Sequence, residues 1–119
     1  VLVRRRNGEV LEIGTGSFPL GAIETARYVE DRISIAPGDL LLVYSDGLVE
    51  TTDQLGDQFG WDRLRRFLEK LDAGLGAAEV RDLLLREVWD FKSDVEQIDD
   101  ITMVVMAASG VLWPSVDTE

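Results

Sequence analysis

A chain of 119 residues with 12 lysines and arginines against 23 aspartates and glutamates carries a net charge of −11, which repels nucleic acid and anionic membrane surfaces. It has neither cysteine nor histidine, so disulfide scaffolds, thiolate or imidazole metal sites, cysteine nucleophiles and a Ser-His-Asp triad are excluded within it. No run approaches the roughly 20 apolar residues of a membrane span and no export signal opens the sequence, so the cytoplasm is the expected location. Chemistry must come from carboxylates, hydroxyls, backbone groups or an added cofactor.

Asn7-Gly8 separates two strand-like stretches, 1–6 and 9–13, and predicts a hairpin with a two-residue turn, both central residues at positive φ. Arg4, Arg5 and Arg6 read as solvated protection of a sheet edge. Gly14, Gly16, Gly21 and Pro19 predict a loop. Residues 27–35 then suggest a third strand with Val29, Ile33 and Ile35 on one face, although Asp31 interrupts the apolar side. Pro37-Gly38 suits the central pair of a type II turn, and the unbroken run Leu40 to Tyr44 predicts a fully buried strand. Residues 48–52 suggest a short helical turn.

The spacing Trp61, Leu64, Leu68, Leu71 predicts a helix with Arg63, Arg65, Arg66 and Lys70 outward. After the glycines at 74 and 76, Val80, Leu83, Leu84, Val88 and Phe91 mark a second one. Residues 101–106 read as a last buried strand, and 108–119 as a tail. Strands, then two helices, then a strand indicate α+β layering rather than a doubly wound parallel sheet.

Two acidic motifs could carry chemistry. Tyr44-Ser45-Asp46-Gly47 ends the apolar run, where an aspartate can present a hard oxygen ligand from a rigid element; taken alone, Asp46 reads more readily as a helix cap. Gln97-Ile98-Asp99-Asp100-Ile101-Thr102 places adjacent carboxylates at a strand entrance, a repulsion that either a cation or water relieves. Glu50, Asp53, Asp57, Asp94 and Glu96 are further candidates that spacing does not single out.

Together these pieces, Pro37 to Glu50, then Gly56, then Phe59-Gly60 before a helix, then Gln97 through Asp99-Asp100-Ile101-Thr102 into a valine-rich strand, resemble a known family. It is that of the metal-dependent protein phosphatases, the PPM or type 2C superfamily, in its SpoIIE-like bacterial sigma-regulator branch. Phe18-Pro19-Leu20-Gly21 is similar to the loop after the early hairpin in those proteins. The resemblance covers residues 1–107 and corresponds to the carboxy-terminal half of the domain. It implies part of a four-layer α-β-β-α sandwich, truncated at its amino terminus.

The resemblance also implies two divalent cations, manganese or magnesium, one of them held by the late aspartates that Asp46 and Asp99 match. Gly47, Asp100 and Thr102 are expected around those ligands, while the family's bridging aspartate belongs to an earlier motif that this sequence lacks. The implied activity is hydrolysis of phosphoserine or phosphothreonine by a metal-activated water. The implied substrate is a phosphorylated regulatory protein of the anti-sigma-factor-antagonist type, with a sensor domain upstream, and this segment alone is expected to be inactive. Two other readings stand beside it: a phosphatase fold that binds a partner without catalysis, and an unrelated acidic α+β binding domain.

Overall fold

The computed structural model describes residues 1–14, 20–97 and 99–110. The 111–119 part of the expected tail and Phe18-Pro19 of the loop lie outside the described residues. The early hairpin is present, with β1 (Leu2–Arg4) antiparallel to β2 (Val10–Glu12) and Leu2 opposite Glu12. Its turn differs from the expected one. The Gly8 N–H donates to the Arg5 carbonyl at 2.9 Å and Arg5 N–H to the Glu9 carbonyl at 2.7 Å, which makes a three-residue loop. Gly8 alone takes positive φ, at 94°, while the Asn7 side chain accepts the Glu9 N–H at 3.0 Å. Three-residue loops of this kind put the glycine after the turn proper, so Asn7 does not need the left-handed region.

β3 (Leu40–Tyr44) pairs antiparallel with β1 on one side and with β4 (Met103–Ala107) on the other, giving the strand order β2-β1-β3-β4. The described residues also form three helices, α1 (Asp46–Val49), α2 (Gly60–Lys70) and α3 (Ala77–Lys92). The short helix starts two residues before the expected turn. Leu2, Leu40 and Leu42 from the sheet meet Leu48, Leu64, Leu68, Val80, Leu84 and Val88 from the helices in one core, with Phe59 edge-on to Phe91 at 5.4 Å. Each of these is a position the 3.6 or twofold period assigns to an inner face.

Three expectations are corrected. β3 and β4 are not buried on both faces: helices cover one side only, and Val43, Val104 and Met106 remain 39%, 53% and 56% exposed on the other. Residues 27–35 form no strand, because the stretch hydrogen-bonds along neither β2 nor β4 and a strand exists only beside a partner. Arg4 is not a solvated edge residue but 5% exposed, since β1 is an interior strand, and its guanidinium donates to the Leu71 carbonyl at the end of α2.

The start of β3 is pinned by Asp39, which the sequence did not single out. Gly38 has φ 91° and the Asp39 N–H reaches the Ala36 carbonyl at 3.0 Å, the closure that a turn centred on Pro37-Gly38 requires. The Asp39 carboxylate is 3% exposed. It accepts the Ala36 N–H at 2.9 Å, Arg5 Nη1 at 2.8 Å and the Arg6 N–H at 3.0 Å, tying the end of β1 to the turn. The Ala36 N–H foremost, then Arg5 and the Arg6 N–H, hold this carboxyl below the usual carboxylate range despite the opposing effect of burial.

A carboxyl depressed in the folded state stabilises fully above its unfolded pKa and progressively less as pH falls through the lower folded value. The Asp39 contribution is therefore complete above pH 3.8, the ordinary value, and drains below it. Asp39→Ala leaves the part-buried N–H groups of Ala36 and Arg6, and Arg5, without their acceptor and is expected to cost about 1–3 kcal/mol, read as a lowered urea midpoint at neutral pH. At pH 2 the gap between variant and wild type should narrow. An unchanged midpoint at neutral pH would remove Asp39 from this role.

Candidate functional site

The strongest local constraint lies where β3 ends. Ser45 is the residue before α1 and has extended backbone (φ −85°, ψ 159°), yet its side chain makes no bond to the helix it precedes. Instead its hydroxyl accepts the Thr102 N–H at 2.9 Å and donates to the Asp100 carbonyl at 3.4 Å, while its own N–H donates to the Thr102 carbonyl at 2.9 Å. One serine thus stitches the first acidic motif to the second across 57 residues of sequence. Because Ser45 holds the capping position, Asp46 is the first residue of α1 and exposed, and the reading of Asp46 as a cap falls.

Gly47 is packed directly on that second motif. A Cβ at this position would stand 2.2 Å from the Asp100 carbonyl oxygen, 3.0 Å from its carbon and 3.4 Å from Asp99 Cβ. No side chain fits, and the conflict is with backbone, so it cannot be relieved by turning a rotamer. Thr51 fixes the other side of Gly47: its buried hydroxyl donates to the Gly47 carbonyl at 2.8 Å. These contacts bring the end of β3 and the approach to β4 together as one edge.

A cleft of about 220 Å³ opens beside it, and Gly47, Glu50, Thr51, Gln58, Glu96, Gln97 and Asp99 are among the residues that line it. Asp46 does not line the cleft itself but stands close enough for its charge to reach Glu50. Desolvation foremost, then the Asp46 charge, then a hydrogen bond and the charge of Asp99, raise the Glu50 carboxyl above its ordinary range. The phenol of Tyr44 is likewise raised, by desolvation first and then by Glu12 and Asp46. Asp46, Glu50 and Asp99 therefore share one field of negative charge.

Of the expected surroundings, Gly47 is in contact with Asp99, and Asp100 contributes its carbonyl to Ser45 rather than a carboxylate to the cleft. Thr102 takes part through its backbone. Asp99 and Asp100 precede β4, so their division of labour is set by the loop and not by strand alternation. Asp53 is committed to its own loop, accepting the Leu55 and Asp57 N–H groups at 2.9 Å each. The roles of Ser45 and Thr51 were missed: the Ser45 hydroxyl bonds backbone groups that become neighbours only on folding, and the Thr51 hydroxyl bonds the Gly47 carbonyl four residues back, which no residue pattern signals.

The donor chemistry fits a hard divalent cation, with carboxylate oxygens on a rigid edge and mutual repulsion that positive charge would relieve. It fits one side of such a centre, since among the described residues no three acidic side chains are arranged to hold a metal ion between them.

Residues 1–109 match the family described as Stage II sporulation protein E (SpoIIE). Protein IcfG of Synechocystis sp. is 30% identical over 88 residues, which are 73% of this chain and 13% of that protein. The SiaA-PP2C domain of Pseudomonas aeruginosa superposes with a TM-score of 0.72 at 22% identity, covering 89% of this chain and 42% of that one. The manganese-presoaked phosphatase domain of SpoIIE from Bacillus subtilis gives 0.62 at 22% identity, covering 93% and 47%. The chain therefore spans less than half the length of these relatives, and shares with them an α+β fold built on an antiparallel sheet.

Gly47→Ala forces the Asp99-Asp100 backbone outward and is expected to cost about 1–3 kcal/mol, measured as a lowered urea midpoint. Gly76→Ala, where a Cβ would meet only the Glu79 carboxyl at 3.5 Å, is the control and should stay within about 1 kcal/mol. Equal, small effects would mean that the close approach is not a constraint.

Proposed function

The chain belongs to the SpoIIE family, and from that membership we propose that it is the carboxy-terminal part of a metal-dependent phosphatase that hydrolyses phosphoserine or phosphothreonine on a regulatory protein. The observation that supports this reading is the Gly47 approach to Asp99-Asp100, which brings Asp46 and Asp99, more than fifty residues apart in sequence, to one edge beside a cleft. Asp46 and Asp99 are the ligand residues of this proposal, with Ser45 and Thr51 as the groups that position them. Bound by these carboxylates together with residues of the preceding segment, manganese or magnesium ions would supply Lewis-acid neutralisation of phosphoryl charge and activation of water. Glu50 and Gln97 border the space a phosphoryl group would enter, and Gly47 keeps that space open.

The substrate class of this proposal is a phosphorylated regulatory protein of the anti-sigma-factor-antagonist type, and a sensor domain is proposed to precede the phosphatase in the parent protein. No described helix is long and apolar enough to cross a membrane.

In the intact phosphatase, Asp46→Asn and Asp99→Asn should each lower kcat by about two orders of magnitude or more at saturating manganese, with the fold retained in circular dichroism. Asp100→Asn should cost at least about tenfold less than Asp99→Asn, because the Asp100 carbonyl, which the substitution keeps, makes its structural contact. Near wild-type activity in Asp46→Asn would defeat the ligand assignment. Absence of phosphatase activity in the intact wild type with either metal would favour a non-catalytic partner-binding domain instead.

The 119-residue chain by itself is expected to hydrolyse aryl phosphate no faster than buffer plus metal. Manganese-dependent turnover that follows the purified chain through repeated chromatography would show that the carboxylates of this segment suffice.

A further inference from the structure

In a chain of net charge −11, cations gather on one face of α2. Arg63, Arg66 and Lys70 recur at helical spacing around Phe67, all three exposed, while the acids of the same helix, Asp62 and Glu69, fall to one side of that stripe. Glu69 is engaged by Arg65 at 2.8 Å. Arg63 donates to the carbonyls of Gln58 at 2.8 Å and Phe59 at 3.2 Å and lies over the Phe91 ring at 4.6 Å. Arg66 donates to the Asp62 carbonyl at 3.3 Å. Those bonds orient two guanidinium groups without cancelling their charge, and among the described residues none of the three cations is in an ion pair.

The stripe borders a groove of about 390 Å³ between α2 and α3, where Phe67 and Leu71 form an apolar floor and Glu87 is the acidic group on the far wall. At its near end a single hydrogen bond, from Arg63, leads to a residue of the cleft already described. Gln58, whose carbonyl Arg63 holds, is one of the residues lining that cleft with Asp99. From Arg63 to Lys70 the helix rises about 10 Å, the reach of roughly three residues of extended peptide. A phosphorylated protein approaching a surface this acidic is repelled everywhere except along a local positive track.

We propose that Arg63, Arg66 and Lys70 form a docking surface for an acidic segment of the phosphoprotein substrate, adjacent to its phosphorylated residue. The inference rests on the phosphatase reading and adds a substrate preference to it. Charge complementarity selects the occupant: the stripe is too short and too isolated in a −11 chain to hold a duplex or a membrane, but it matches two or three carboxylates.

The test uses the intact phosphatase and two synthetic phosphoserine peptides, one carrying three glutamates beside the phosphoserine and one with glutamines there, together with aryl phosphate. Wild type should favour the acidic peptide by about tenfold in kcat/KM at low salt, with the preference fading by 0.5 M salt as screening shortens the field. The double variant Arg66→Glu/Lys70→Glu should lose that preference while aryl phosphate turnover stays within about twofold, and Arg66→Gln/Lys70→Gln should fall between. Arg65→Glu, off the stripe, should keep the preference.

A wild type that does not favour the acidic peptide, or a preference that survives the double charge reversal, overturns the docking surface while leaving the phosphatase intact. No metal-dependent turnover of any substrate overturns both. Binding of anionic vesicles or duplex DNA that the double variant abolishes, with no discrimination between the peptides, assigns the stripe to another partner and overturns the proposal.

Discussion

The chain is organised by a contact that only a glycine permits. Gly47 lies so close to the Asp100 carbonyl that a single added carbon would overlap it, and Ser45 closes the same seam with a hydroxyl that both accepts and donates. Without this seam the two acidic motifs would be loop ends more than fifty residues apart in sequence. With it they share an edge, and Glu50 registers the charge of both aspartates. The carboxylates repel one another, so the arrangement is held by backbone packing and by hydrogen bonds of Ser45 and Thr51 rather than by the charges themselves.

β3 is the element through which this edge is made rigid. It is held at its start by the buried Asp39 carboxylate and at its end by Ser45, with a strand on either side between them. Both anchors are short polar side chains accepting backbone N–H groups, and both tie β3 to a segment distant in sequence. A ligand on such a strand moves little, which is what fixed oxygen donors for a small divalent cation need. Below the sheet, α2 and α3 complete the core, and above it Val3 is buried while Val43, Val104 and Met106 are exposed.

Charge is distributed as unevenly as polarity. Asp46, Glu50 and Asp99 stand together at the cleft, where positive charge from a cation would relieve their repulsion, while on α2 only Arg65 is paired with an acid of its own helix and Arg63, Arg66 and Lys70 are in no ion pair among the described residues. Local sign and net sign thus differ, and the net value of −11 says little about what any one face attracts.

The sequence by itself determined the elements whose signals are local. Glycine and proline placed the turns at residues 8 and 38, the spacing of Leu64, Leu68, Leu84 and Val88 placed two helices, and the run Leu40 to Tyr44 placed the central strand. The order of the acidic motifs also points to the family. Tertiary structure alone decided what depends on neighbours. It made β1 interior and so buried Arg4, left 27–35 outside the sheet, and exposed Val43, Val104 and Met106 on one side of β3 and β4. It also chose Ser45 and Asp39 as fasteners, each bonding backbone more than thirty residues away. The division follows from range: φ preference and hydrophobic period act within a few residues, whereas burial, close backbone approach and the field at a carboxylate are set by groups that folding brings from elsewhere in the chain.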